Sequence, residues 1–240
     1  MELYLIRHAQ SENNALWEQS GSNQGRNMDP GLSDLGSQQA LALAQFLAQG
    51  NGSAGIEADF HNRQGFNFSH LYSSLMLRSV MTGAIIAEVL AVPLIAWPDW
   101  HEGGGIYLAD QDTNEPVGQA GKDRAYFEEN YPDLVLPADL GDEGWWNRPF
   151  EERPARWERA RRVQRELFRR HGDTSDRVAV VTHGGFSNYF LKTLFEISPD
   201  QPLWFMFNNA AITRVDFNEE VRLVYLNRVD YLPEELISKT

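Results

Sequence analysis

The chain has 240 residues, 42% of them hydrophobic, enough to bury one sizeable core with an added subdomain. A formal charge of −13 disfavours nucleic acid and anionic membranes as partners, and any anionic ligand must be captured by a local basic pocket against a repulsive overall field. The absence of cysteine excludes disulfides and thiol chemistry.

In chain order, the apolar run Leu3–Ile6 predicts a buried strand over about residues 1–7 that ends in Arg7-His8-Ala9, delivering a cation and an imidazole to a sheet edge. Arg7 cuts this run too short for a signal peptide, and Glu88 and Pro93 interrupt the longest later one, so the expectation is cytoplasmic residence without a membrane span. Residues 15–31, including Asn23, Gln24, Gly25 and Arg26, read as a polar loop bordering a pocket. Ser33 caps a predicted helix over about 34–49, with Leu35, Ala42, Leu43, Phe46 and Leu47 on or near one face. A strand over about 68–73 runs through two serines into a helix over about 76–91, which carries Arg78 in its first turns, and a strand over about 92–96 follows.

Between Pro98 and Pro154 the pattern becomes irregular, with glycines, prolines, acidic residues and Trp145-Trp146-Asn147-Arg148. A helix over about 154–170 has arginines from Arg156 to Arg170 interleaved with Glu158 and Glu166, and reads as a solvated face. The second strongly apolar run, Val178–Val181, predicts a strand over about 177–182 ending in Thr182-His183-Gly184-Gly185. A helix over about 186–195 and a strand over about 211–217 complete the pattern. The tail after Leu226 gives no functional signal, and there are no internal repeats or low-complexity tracts.

Alternation of this kind predicts an α/β fold: three layers, α/β/α, around a mostly parallel central sheet. Ligands of such sheets bind outside the carboxyl ends of the strands, so His8 and His183 are expected to face one crevice. Arg7 beside one histidine and Arg78 on a helix can both fork onto phosphate oxygens. Gly184 and Gly185 let a ligand approach the backbone and open a helix whose free N–H groups attract phosphate.

The ordered set Arg7-His8-Ala9, Asn14, Leu32-Ser33-Asp34-Leu35-Gly36-x-x-Gln39-Ala40, Ser74-x-x-x-Arg78-x-x-x-Thr82, His101-Glu102 and Thr182-His183-Gly184 resembles the histidine phosphatase superfamily, in its phosphoglycerate mutase-like branch. The resemblance spans roughly residues 1 to 217. Departures are Ala9 where glycine is frequent, Leu75 where proline is common and Met81 where glutamine is common; none touches a group that does chemistry. The resemblance implies one histidine phosphatase-like domain over 1–240, with 99–153 as an insertion covering the active site as a lid. It implies that His8 attacks phosphorus as a neutral imidazole and becomes a phosphohistidine, with Arg7, Arg78 and His183 on the transferred phosphoryl oxygens. Glu102 would be the general acid and then the base toward water, with His101 a supporting neighbour. Asn14, Arg26 and Gly184 join Arg7, Arg78 and His183 as substrate-binding residues.

A zinc site built from His8, His101, Glu102 and His183 is the competing reading, but no His-Glu-x-x-His spacing is present and two arginines would stand beside the cation. A Gly-x-x-x-x-Gly-Lys loop for nucleotide phosphates is also missing. The expectation is therefore a phosphomonoester hydrolase without metal or other cofactor, acting on a small phosphorylated metabolite; homo-oligomer formation is left open. A cofactor-dependent phosphoglycerate mutase is the alternative. Residues 99–150 hold only Lys122, Arg124 and Arg148 against many acids, which favours hydrolysis over binding of a multiply charged sugar acid. A phosphate-recognition protein without catalysis is a third reading, opposed by the intact set Arg7, His8, Arg78, Glu102 and His183.

Overall fold

The computed structural model describes residues 1–50 and 59–239. In chain order it comprises β1 (Glu2–Arg7), α1 (Glu12–Ser20), α2 (Asp34–Leu47), β2 (His70–Ser73), α3 (Leu77–Leu90) and β3 (Leu94–Ala96). Next come β4 (Tyr107–Ala109), β5 (Pro116–Gly118), α4 (Arg124–Asn130), β6 (Leu134–Val135) and α5 (Arg153–His171). The last elements are β7 (Arg177–Thr182), α6 (Gly184–Leu194), β8 (Ile212–Phe217) and β9 (Val221–Arg228). The main sheet has the order β6-β3-β2-β7-β1-β8-β9. Its first five strands are parallel, and β8 and β9 add an antiparallel edge.

The central strands are buried on both faces, and this is why their sequences are continuous apolar runs. Side chains alternate across the sheet. Tyr4, Ile6, Ala179 and Val181 join the core under α2, α3 and the 106–146 insertion. Leu3, Leu5, Val178 and Val180 join the core under α5 and α6. The expected three-layer α/β/α architecture is thus present.

Register then places the chemistry. Arg7 pairs with Thr182 across β1 and β7, and Ser73 with Val181 across β2 and β7. The residues that follow, His8, His183 and Ser74, emerge side by side at one carboxyl edge. The Leu32–Ala40 motif supports that edge. Ser33 donates its N–H to the Gln10 carbonyl at 3.0 Å, and Gln39 Oε1 accepts from the Gln10 N–H at 2.8 Å. Gly36 approaches so closely that a Cβ there would lie 1.9 Å from the Gln10 oxygen, which explains a glycine inside a helix.

Two local readings need correction. The expected polar loop over 15–31 begins as helix: α1 opens on a capping box in which Ser11 and Asn14 satisfy each other's backbone N–H groups. Period-3.6 hydrophobicity is absent from that helix because it buries no residue. Beyond Leu226, where the sequence carries no functional signal, β9 runs on to Arg228 and Ser238 Oγ donates to Asn209 Oδ1 at 2.9 Å. The arginines of α5 are not all solvated: Arg159 is buried and forks onto both oxygens of Glu151 at 2.7 Å. The 99–153 segment expected to cover the site is anchored in the body: β6 pairs with β3, and Ile106, Phe127, Leu140, Trp145 and Trp146 belong to the core.

Candidate active site

His8 leaves β1 with its ring fixed at both nitrogens. Nδ1 lies 2.7 Å from the carbonyl of Ala9, and Arg78 Nε donates to Nε2 at 3.1 Å. A carbonyl can only accept, so Nδ1 carries the proton and Nε2 the lone pair. Burial, then the guanidiniums of Arg78 and Arg7, hold the His8 pKa well below its ordinary value, so the ring is neutral at neutral pH. The backbone behind it is pinned as well: Asn209 Nδ2 donates to the His8 carbonyl at 3.2 Å, and Ala9 N–H donates to Thr82 Oγ1 at 3.1 Å.

His183 stands beside it, with ring centroids 5.0 Å apart. Its Nε2 is held between the hydroxyls of Ser74, at 2.8 Å, and Ser79, at 3.2 Å. Its Nδ1 is buried and has no hydrogen-bond partner among the described residues. Burial and the charge of Arg78 keep this imidazole neutral too. A neutral ring carries one proton, and two hydroxyls that can each donate to Nε2 favour placing it on Nδ1.

Two cations and one carboxylate complete the cluster. Arg7 donates through Nη1 to the carbonyl of Phe207; burial pushes its pKa down to about 10, which still leaves it charged. Arg78 is also pushed down by burial, while Asp29 and Glu102 support its charge. Asp29 itself accepts the Leu77 N–H at 2.9 Å, so a buried carboxylate caps α3 one residue before Arg78. Its pKa is raised by burial and held back by Arg78. Glu102 accepts backbone N–H groups from Gly103 at 2.7 Å and from Gly185 at 3.0 Å. A Cβ at Gly185 would lie 2.4 Å from Glu102 Oε1, so this position requires the missing side chain. Gly184 lies beside Arg7 without such a constraint, since a Cβ there would sit at an ordinary contact distance of 3.5 Å from Arg7 Cδ.

The remaining candidates sit farther out. Asn14 spends its side chain on the α1 cap and accepts from Asn209 Nδ2 at 3.3 Å, which ties it to the His8 backbone. Arg26 reaches across to the insertion, where Nη1 donates to the Tyr107 hydroxyl at 3.0 Å and its guanidinium carbon lies 4.6 Å over the Tyr107 ring. The charge of Arg26 also opposes that of Arg78. His101 is buried against Trp146, 4.7 Å between centroids, with Nδ1 2.8 Å from the Glu102 carbonyl. It thus fixes the backbone of Glu102.

Four contributors escaped the sequence. Ser79 is an unmarked position inside the Ser74–Thr82 motif, Asn209 and Asp29 lie in segments with no telling spacing, and only the folded chain brings them to the histidines and to α3. The buried Arg159 also belongs here: Nη1 donates to the carbonyls of Asp99 at 2.7 Å and His101 at 2.8 Å, clamping the segment that leads into Glu102. The competing zinc reading finds no support in position: among the described residues, the ligand atoms that converge within 4.8 Å belong to His70, His171 and Asp176, at the other end of the sheet.

A three-layer fold whose parallel sheet presents two neutral imidazoles, two guanidiniums and a carboxylate at its carboxyl edge defines an enzyme class that handles phosphate esters. The model of the histidine phosphatase superfamily (branch 1) matches residues 3–228, and the chain belongs to that superfamily. Among solved structures, it is similar to phosphoserine phosphatase from Entamoeba histolytica in complex with 3-phosphoglyceric acid, with a TM-score of 0.59 and 19% identity over 97% of this chain and 99% of that one. It is also similar to a mycobacterial glucosyl-3-phosphoglycerate phosphatase complexed with VO3, with a TM-score of 0.54 and 19% identity over 90% of each chain. At such identities these structures establish the shared fold. No curated protein matches the sequence.

Proposed function

We propose that the protein is a phosphomonoester hydrolase that works through a phosphohistidine at His8 Nε2. The observation that carries this reading is the His8 ring itself. Its Nδ1 is committed to a carbonyl, and its Nε2 lone pair faces the space bounded by Arg78 and the unpartnered Nδ1 of His183. On substrate binding, a phosphate oxygen takes over the Arg78 N–H that now rests on Nε2. Arg7, Arg78 and the His183 Nδ1–H then hold the three non-bridging oxygens while Nε2 attacks phosphorus and the ester oxygen departs in line. Glu102 gives that oxygen its proton, then takes one from the water that cleaves the N–P bond and returns His8. All the charge handling comes from side chains of this chain.

The substrate is a small phosphorylated metabolite, with Asn14, Arg26 and Gly184 around its rim. Hydrolysis is favoured over a mutase because the cations of the insertion are already engaged. Arg124 donates to the carbonyls of Leu140 and Pro137 and to Glu128, Arg148 lies 4.0 Å over Trp146, and Lys122 lies 4.3 Å over Tyr126. The phosphoserine and glucosyl-3-phosphoglycerate phosphatases that share the fold make phosphorylated small acids the first compounds to try. A phosphate-release screen over these, sugar phosphates, nucleotides and aryl phosphates, run beside a mutase assay, tests the reading. Phosphate release with no isomerised product is the expected result, unchanged by a chelator. Isomerisation faster than release would establish the mutase instead.

A further inference from the structure

A second cluster lies at the amino end of the same sheet, roughly 20 Å from the histidine pair by the strand rise over the residues from Asp176 to His183. His70 opens β2, His171 closes α5, and Asp176 immediately precedes β7. Their ligand-capable atoms all lie within 4.8 Å of one another. His171 Nδ1 is 2.8 Å from Asp176 Oδ2, and His70 Nδ1 is 3.9 Å from Asp176 Oδ1. The two rings stand edge to face, 4.6 Å between centroids. We propose that His70, His171 and Asp176 form a binding site for one divalent transition-metal ion of the zinc class, independent of the phosphate pocket.

The donor set is two imidazole nitrogens and one carboxylate, which suits zinc and its neighbours and suits calcium or magnesium poorly. Zinc bonds of about 2.0–2.1 Å imply tetrahedral ligand separations of about 3.3 Å, so the observed spacings need only sub-ångström to ångström adjustments of side chains. The surrounding hydrogen bonds are those that orient metal ligands. The Tyr72 hydroxyl lies 3.1 Å from His171 Nε2 and can either donate or accept. When the His171 proton moves from Nδ1 to Nε2, that bond survives with its direction reversed, and the Nδ1 lone pair turns toward the ion. Ser69 Oγ lies 3.0 Å from His70 Nδ1 and donates to Asp176 Oδ1 at 3.3 Å, holding the other two ligands together. Neighbouring cations are occupied elsewhere, Arg177 with Glu2 and Arg170 with Glu166. His171 is buried, while His70 and Asp176 are partly exposed, which leaves an entry path and room for a water as fourth ligand.

Bound there, an ion would tie β2, α5 and β7 together without touching catalysis. Zinc alone, added to the metal-stripped full chain, should bind at one ion per chain and raise Tm by about 5–10 °C at a hundredfold excess over Kd. Cobalt in its place should give the visible d–d bands of a tetrahedral site. His70→Ala removes a partly exposed side chain and should fold normally, yet weaken zinc binding at least tenfold. Asp176→Asn keeps an oxygen for His171 but loses the charge, and should also weaken binding; phosphatase turnover should stay at the wild-type level in both. Absence of stoichiometric binding at 100 μM zinc on the order of typical structural-site excess, or equal affinity in wild type and both variants, would overturn the site.

Discussion

His8 has one nitrogen committed to a carbonyl and the other offered to the pocket, so removing its ring should separate chemistry from folding. His8→Ala is expected to lower turnover by at least about a thousandfold while circular dichroism and Tm stay close to wild type. Retention of a tenth of the rate would mean another nucleophile. Glu102 and Arg78 belong to different parts of the same transition state, and leaving-group chemistry distinguishes them. Glu102→Gln should slow sugar phosphates at least about tenfold more than nitrophenyl phosphate, because a nitrophenolate leaves without a proton. Arg78→Ala should slow both alike and weaken inhibition by vanadate, since it contacts the group common to all of them. Measuring kcat/KM for both variants on both substrates decides the assignment. Equal losses for Glu102→Gln would pass the proton to a different group.

At the scale of elements, the strands that deliver His8 and His183 were readable because central parallel strands are apolar on both faces and end abruptly where chemistry begins. Helices α2, α3, α5 and α6 were readable from caps and periodicity. Helix α1 was not, because it buries nothing, and β9 was not, because an edge strand with a solvated face lacks a full apolar run. The role of Arg159 was invisible for another reason: an arginine among eight on one helix looks solvated until its partner, Glu151, is seen to come from the preceding loop. That pair carries a prediction. Arg159→Met keeps much of the volume but leaves the buried Glu151 carboxylate and two carbonyls without donors. Breaking one side of such a pair costs about 3–5 kcal/mol, and urea unfolding should show it. Because Arg159 also clamps Asp99 and His101, kcat should fall with stability. A loss under about 1 kcal/mol would show that the clamp is dispensable.

Of the four imidazoles buried in the molecule, those of His8, His101 and His183 have pKa values held well below the ordinary one, chiefly by burial, and that of His171 is lowered by burial against the pull of Asp176. In the unfolded chain each of the first three takes up a proton near pH 6.5; in the folded chain it does so only at much lower pH. The unfolded state therefore binds more protons below pH 6.5, and stability falls as pH falls through that value, while above it these groups contribute no slope. Each histidine is worth about 1.4 kcal/mol per pH unit once the difference is complete, so about 4 kcal/mol should be lost between pH 7 and pH 5.5. Asp29 works in the opposite direction, because its raised pKa makes the folded state take up a proton first, and it trims the slope where it titrates. Carboxylates such as Glu166, pulled down to about 2 by Arg169 and Arg170, add their own loss only at lower pH. For a domain whose total stability is about 5–15 kcal/mol, a loss of that size is large enough to measure by urea unfolding at closely spaced pH values. His8→Ala should remove about a third of what His8, His101 and His183 contribute to the slope, without altering its midpoint. A wild-type loss under about 1 kcal/mol over this interval would mean that the buried rings accept protons as readily as free imidazole, and the neutral His8 on which the nucleophile assignment rests would then have to be abandoned.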